Sequence, residues 1–239
     1  MIVEVVGCSA RDCEAIEGAG ADRIELCAGI VAGGVTPSVG LFKSARAATS
    51  LPIMVMVRPR EGGFCYSDAE FDSMLSDVAV FGELGADGVV FGVLHSDGRI
   101  HIDRMAELRT KAGKLRTMCH RAFDVTPDPI QGIQDLITAG IDRVLSSGQA
   151  ARITEGLPKL REIMVEASGR IEVQPCEGIR PDNVREVIAA LMPKSIHFGP
   201  FTEVWDPTSK LDKPVNYGHH LEVDEACIRG VVEIVRSMQ

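Results

Sequence analysis

A ring of eight parallel strands, each followed by a helix, is the fold this sequence predicts: a single (β/α)8 TIM barrel of the α/β class. Three observations point there. Short apolar runs alternate with longer amphipathic runs from end to end. Most of the short runs are continuous rather than alternating, as strands covered on both faces are. Eight strand–helix units in 239 residues come to about 30 residues each, close to the ~250 residues usual for this barrel. An open doubly wound sheet is the alternative, but no Gly-x-Gly-x-x-Gly follows the first strand.

The predicted strands are 2–6, 23–26, 53–57, 88–93, 115–119, 143–146, 171–174 and 195–198. The predicted helices are 11–18, 37–49, 68–84, 103–112, 130–139, 155–167, 181–191 and 223–237. In 68–84, Phe71, Met74, Leu75, Val78 and Phe81 recur every three or four residues and form one apolar stripe. Ser67-Asp68 is a helix start signal, and Pro37 and Pro181 suit a first helical turn. An internal repeat supports the unit: Gly20-Ala-Asp-Arg-Ile-Glu-Leu, Gly85-Ala-Asp-Gly-Val-Val-Phe and Gly140-Ile-Asp-Arg-Val-Leu-Ser share one layout. Each Gly falls where a helix ends in a left-handed residue. The chain reads as one domain, 1–239, with a long loop over 200–221 that carries Trp205 and His219-His220. Loops of that length are commonly functional.

Composition narrows the function. Twenty-five Lys and Arg against 34 Asp and Glu give a formal charge of −9, a poor match for nucleic acid or an anionic membrane. No apolar run nears the ~18 residues of a membrane span, and the opening Met1–Cys8 reads as a strand without a secretion signal. Seven cysteines in no tight framework fit reduced thiols in the cytoplasm.

In a barrel the site lies at the carboxyl ends of the strands. The polar residues predicted there are Glu25, Arg58, Arg60, His120, Arg121 and Asp124, with Ser147-Gly148 and Glu177-Gly178 on the last loops. An unpaired Arg beside apolar strands costs several kcal/mol, on the order of 3–5, so these need carboxylates or an anionic ligand. One reading is an enzyme for a small phosphate or carboxylate, with Arg58, Arg60 and Arg121 as the anion clamp. His120 and Glu25 would then perform acid–base work beside Asp124, and Ser147, Gly148 and Gly178 would offer backbone N–H groups. The plainer reading is an ion-pair network that closes the barrel top. Cys8, Cys27, Cys65, Cys119 and Cys176 form a second candidate cluster. Without Cys-x-x-Cys a zinc cage is disfavoured, whereas soft thiolates could take Cu(I), and small buried hydrophobes are the plain alternative. Alternation forbids Cys119 and His120 from both pointing inward. A third reading has no catalysis at all, only a barrel whose long last loop docks a partner.

These motifs, read in order, carry a family resemblance. Gly20–Cys27, Gly33–Ser38, Met56-Val-Arg-Pro-Arg60, Gly85–Gly92, His120-Arg-Ala-Phe-Asp124, Ser147-Gly148 and Glu155-Gly-Leu-Pro158 resemble the CutC family, named for copper homeostasis. The resemblance implies a TIM barrel, a cytoplasmic location, a homo-oligomer and Cu(I) held through cysteines. It places Cys27 at one family cysteine. The other family position is Val6 here, and Cys8, two residues on and on the same strand face, is the candidate substitute.

Overall fold

The structure, a computed structural model, describes residues 1–210, 215 and 218–238. Its elements run β1 (Ile2–Gly7), α1 (Ala10–Gly18), β2 (Arg23–Leu26), α2 (Val39–Ala48), β3 (Ile53–Met56), α3 (Asp68–Glu83), β4 (Gly88–Phe91), α4 (Ile102–Ala112), β5 (Arg116–Cys119) and α5 (Pro129–Thr138). They continue with β6 (Arg143–Ser146), α6 (Ile153–Ala167), β7 (Glu172–Pro175), α7 (Val184–Leu191), β8 (Ser195–Phe198), β9 (Phe201–Trp205), β10 (His219–Val223) and α8 (Glu225–Ser237). The first eight strands are parallel neighbours in chain order, and β1 pairs with β8, so the sheet curls into the (β/α)8 barrel the sequence predicts.

Helix starts follow their caps. Ser67 caps α3 and forms a reciprocal capping box with Glu70. The α2 cap is Ser38, so Pro37 lies one residue before it and not in the first turn. Pro181 is displaced likewise, because α7 begins only at Val184. In the expected loop over 200–221, the described residues form the antiparallel hairpin β9–β10, paired from Phe201↔Val223 to Trp205↔His219. Residues 211–214 and 216–217 of that loop lie outside the described residues. The hairpin is anchored on α1: Val223 N–H donates to Asp12 Oδ1 at 3.1 Å, and Arg11 pairs with Glu222 at 3.0 Å.

The internal repeat has a physical cause. In each copy the glycine is left-handed, with φ of +86° at Gly20, +85° at Gly85 and +75° at Gly140. The following aspartate then accepts a backbone N–H from the preceding strand. Asp22 takes Val3 N–H at 2.7 Å, Asp87 takes Ile53 N–H at 2.8 Å, and Asp142 takes Thr117 N–H at 2.8 Å. Each aspartate thus fastens an even strand to the odd strand before it. The fourth copy would lie ahead of β8, where Met192 and Lys194 stand instead. Among the described residues β7 and β8 share no backbone ladder. Side chains close that seam: Gln174 Nε2 donates to Ile196 O at 3.1 Å, and the Ser195 hydroxyl donates to Glu172.

Burial divides into two apolar bodies. One is the sheath between strands and helices, holding Val3, Val5, Ile24, Phe91 and Cys119. The other fills the lumen with Val6, Cys27, Met54, Met56, Val90, Met118, Leu145 and Cys176. Gly88 makes room for Met54: a Cβ there would lie 2.2 Å from the Met54 methyl.

The lumen also carries a buried charged band. Glu4 on β1, wholly buried, accepts from Arg23 of β2, pairs with His197 Nδ1 of β8 at 2.8 Å and accepts from Gln174 Nε2 of β7 at 3.3 Å. One carboxylate therefore ties four strands together across the seam. Removing it strands two buried cationic groups, at a cost of about 3–5 kcal/mol. Glu4→Ala should lose about that much in urea unfolding, and Glu4→Gln, which keeps an acceptor, distinctly less. Equal losses in the two variants would mean that packing rather than charge holds the band.

Candidate functional site

The carboxyl ends of the strands surround a cavity of about 520 Å3. Glu25 reaches it from β2, Arg58 from just beyond β3, and His197 from β8. His120 caps the 3-10 turn Arg121–Val125 that follows β5, and the same turn brings Arg121 and Asp124 to the wall. Glu177, Gly178 and Arg180, after β7, complete the polar rim, while Ile30, Met56, Phe64 and Phe201 supply apolar wall.

Of the residues the sequence nominates, Glu25, Arg58, His120, Arg121, Asp124 and Gly178 line this one opening. Arg60, Ser147, Gly148, Cys8 and Cys27 are not among its lining residues. Arg60 turns outward, paired with Glu70, bonded to the carbonyls of Glu61, Gly63 and Cys65, and stacked over Tyr66. The expected anion cradle at Ser147-Gly148 is already filled. Asp124 accepts from Ser147 N–H at 3.1 Å, Gln149 N–H at 3.3 Å and the Ser146 hydroxyl at 2.6 Å, while Gly148 N–H goes to Ser146 Oγ. Gly148 is also pressed against α6, since a Cβ on Gly156 would fall 1.7 Å from Ser147 O. Asp124 accepts from Arg121 Nε as well, at 2.9 Å. So engaged, it locks the turn and holds Arg121, whose other arm meets Glu177. It has little acceptor capacity left for proton transfer.

Three buried polar atoms at this cavity have no hydrogen-bond partner among the described residues: Glu25 Oε1, Arg58 Nε and His120 Nε2. Arg58 is 5% exposed. Its terminal nitrogens donate to the carbonyls of Ala32, Gly34 and Gly62, at 2.9, 2.9 and 2.7 Å. No carboxylate among the described residues pairs with it. The guanidinium is therefore held in place but not neutralised. His120 Nδ1 accepts Ala122 N–H at 3.1 Å, so the proton of the neutral ring sits on Nε2. Burial first, then the Arg58 charge, press its pKa down to about 3. This ring is a neutral donor at physiological pH, not the titrating base its residue type suggests.

Glu25 takes the opposite course. Burial, opposed by His197 and reinforced by Glu4, lifts its pKa to about 7. His197 Nε2 lies 3.7 Å from Glu25 Oε2. Burial disfavours the charge on His197, but Glu25 and then Glu4 outweigh it and raise its pKa. Burial also works against the charge of Glu4, yet Arg23 and His197 bring it to about 2. The column Glu4–His197–Glu25 thus sets an imidazole of raised pKa between a carboxylate held near 2 and a second carboxyl poised near neutrality. Sequence reasoning nominates neither Glu4 nor His197, though both lie inside predicted strands, 2–6 and 195–198. Their signal was a charged residue in the middle of an apolar strand.

Cys8 and Cys27 meet in the lumen, with Sγ–Sγ 3.6 Å. Cys119 faces the sheath, Cys65 is exposed, and Cys176 lines the cavity alone of the seven. Among the described residues no group of three or more His, Cys, Asp or Glu is arranged to hold a metal ion. No helix among them is long and apolar enough to cross a membrane.

With the barrel and its mouth described, similarity to known proteins becomes decisive. The model of the CutC family matches residues 1–200. The chain belongs to the CutC family. A CutC family protein of Mesorhizobium japonicum is 46% identical over 190 residues, covering 80% of this chain and 74% of the relative. The human copper homeostasis protein cutC homolog is 40% identical over 187 residues, 78% of this chain and 68% of the human one. The crystal structure of CutC from Streptococcus agalactiae superposes with a TM-score of 0.78 at 29% identity, covering 83% of this chain and 98% of that one. The family match ends where β9 begins, so the hairpin and α8 fall beyond it.

The shifted groups set a pH dependence. Between pH 4.5, the ordinary value, and about 7, folded Glu25 keeps a proton that the unfolded chain has released. Stability falls as pH rises through that window. His197 acts in the same direction, its contribution being full below pH 6.5 and lost as pH passes its raised value. His120 acts oppositely: its contribution is present above pH 6.5 and lost as pH falls through about 3. Glu25→Gln should therefore gain stability over the parent protein as pH climbs from about 4.5 to 7, by at most about 3 kcal/mol. Urea unfolding at several pH values reads the difference. A gap that stays flat with pH would refute the assignment of the titration to Glu25.

Proposed function

We propose that this CutC-family barrel acts on a small carboxylate- or phosphate-bearing molecule at its mouth, by proton transfer. The single observation behind this reading is that Glu25, Arg58 and His120, each with a buried polar atom lacking a hydrogen-bond partner among the described residues, line one cavity. Each buried polar atom left unpaired costs about 1–3 kcal/mol. A ligand with an anionic end and a hydroxyl or carbonyl end would satisfy all three. Arg58, with no carboxylate partner, holds the anion. His120 donates its fixed Nε2–H to an oxygen on which charge develops. Glu25, poised near neutrality, takes a proton from the substrate and returns it. Arg121 serves as wall rather than clamp, its charge already matched by Asp124 and Glu177. A thermal-shift screen of small carboxylates and phosphates tests the reading. Hits should raise the melting temperature of the parent protein and of Glu25→Gln, but bind Arg58→Ala at least tenfold more weakly. Ligands that stabilise Arg58→Ala as well as the parent would sink the anion anchor.

A second reading is favoured by the thiol pair and by the name of the human relative: Cu(I) held between Cys8 and Cys27 in a role in copper homeostasis. Two soft sulfurs fit a soft monovalent ion of low coordination number. Anaerobic Cu(I) titration should show one site lost in both Cys8→Ser and Cys27→Ser, whereas unchanged stoichiometry in both would remove it. A cytoplasmic location and a homo-oligomeric state are carried forward with this reading on family likeness.

A further inference from the structure

We propose that Cys8 and Cys27 form a peroxide-driven disulfide that stiffens the barrel mouth. The two sulfurs are already in contact at 3.6 Å. Their backbones are in step: Gly7 pairs with Leu26 in the β1–β2 ladder, and Cys27 N–H donates to Gly7 O at 3.1 Å. Cys8 and Cys27 therefore follow as direct neighbours on adjacent strands. Neighbouring strands run about 4.8 Å apart, within the Cα span that a disulfide bridges. Closure to a bond of about 2.05 Å requires the sulfurs to approach by roughly 1.5 Å, within reach of side-chain rotation.

The two thiols are placed for different parts. Cys8 is half-buried and Cys27 fully buried, so an oxidant in solution meets Cys8 first. A hydroperoxide then suits the chemistry. The Cys8 sulfur attacks the terminal peroxide oxygen, the O–O bond breaks, and the displaced oxygen takes the Cys8 thiol proton and leaves as water or an alcohol. Cys8 is now a sulfenic acid. The Cys27 sulfur attacks it, the S–O bond breaks, and the hydroxyl leaves as water with the Cys27 proton. The two sulfurs together lose two electrons, and the peroxide takes them up.

The bond bears on the cavity through Gly34. A Cβ at Gly34 would sit 3.3 Å from Cys27 Sγ, so that sulfur rests against this glycine. Gly34 O is one of the three carbonyls that hold the Arg58 guanidinium. Moving the Cys27 sulfur therefore moves a support of Arg58. The inference shares its two sulfurs with the copper reading but needs neither a bound metal nor a substrate, and a metal-free peroxide test distinguishes its failure from the failure of either reading above.

The test uses the full chain in a Cys65→Ser background, because Cys65 is exposed and would cross-link between molecules. After brief exposure to hydrogen peroxide, free thiols are blocked under denaturing conditions and the chain is cut with trypsin. The expected product is a cross-link between fragments 1–11 and 24–43, reversed by dithiothreitol. In Cys8→Ser no such cross-link forms and Cys27 stays free. In Cys27→Ser, Cys8 should proceed to sulfinic acid. Cys8→Ala, with circular dichroism as a check of folding, guards against loss of structure. Cys8 in the parent reaching sulfinic acid while Cys27 remains a free thiol would overturn the proposal, as would cross-links to Cys13 or Cys176 in place of Cys27.

Discussion

The charge on Glu4 is the constraint from which the rest of this molecule follows. A carboxylate with no access to water survives only if cationic and hydrogen-bonding groups surround it closely. Arg23, His197 and Gln174 do so, and they come from β2, β8 and β7, the last two being the strands that share no backbone ladder among the described residues. The same pairing raises the pKa of His197 against the effect of its burial. His197 in turn sits beneath Glu25 and limits how far burial can lift that carboxyl. A structural need inside the lumen thereby sets the protonation of a group at the mouth.

Desolvation then assigns unlike parts to groups that look interchangeable in a sequence. Glu25 and Asp124 are both carboxylates on one cavity, yet Asp124 is surrounded by donors and Glu25 has an oxygen facing none. Two imidazoles border the same space. His120, beside a guanidinium and fixed by a backbone N–H, stays neutral, while His197, between two carboxylates, has its pKa raised. Such divergence between like groups follows from burial and neighbouring charge rather than from residue type.

The barrel was legible in the sequence because its cause is local: apolar runs, caps and a unit of constant length. The gathering of Glu25, Arg58, His120 and Asp124 followed from the strand ends alone. The parts those residues play did not, because a pKa depends on neighbours distant in the chain. His120 reads as a base until Arg58 is placed beside it. Arg58 and Arg60 are two residues apart in one motif, but both lie in the loop after β3, where the backbone no longer alternates, and local partners hold one at the cavity and the other against Glu70. The Ser147-Gly148 stretch has the composition of an anion cradle, and only coordinates reveal that Asp124 occupies it. The hairpin escaped notice because its two strands are separated by a stretch rich in proline and polar residues, and its partner is itself.

The aspartates of the internal repeat carry a further meaning. Three of the four pairs of strands are stapled at their entrances by the same device, and the fourth, β7 with β8, is not. Its place is taken by contacts of side-chain amide and hydroxyl, which yield more readily than a ladder of peptide groups. The ring therefore has a natural hinge line. What a peptide ladder does between other strands is done here by Gln174, Ser195 and the carboxylates they meet, so the closure of the ring is a property of a few side chains.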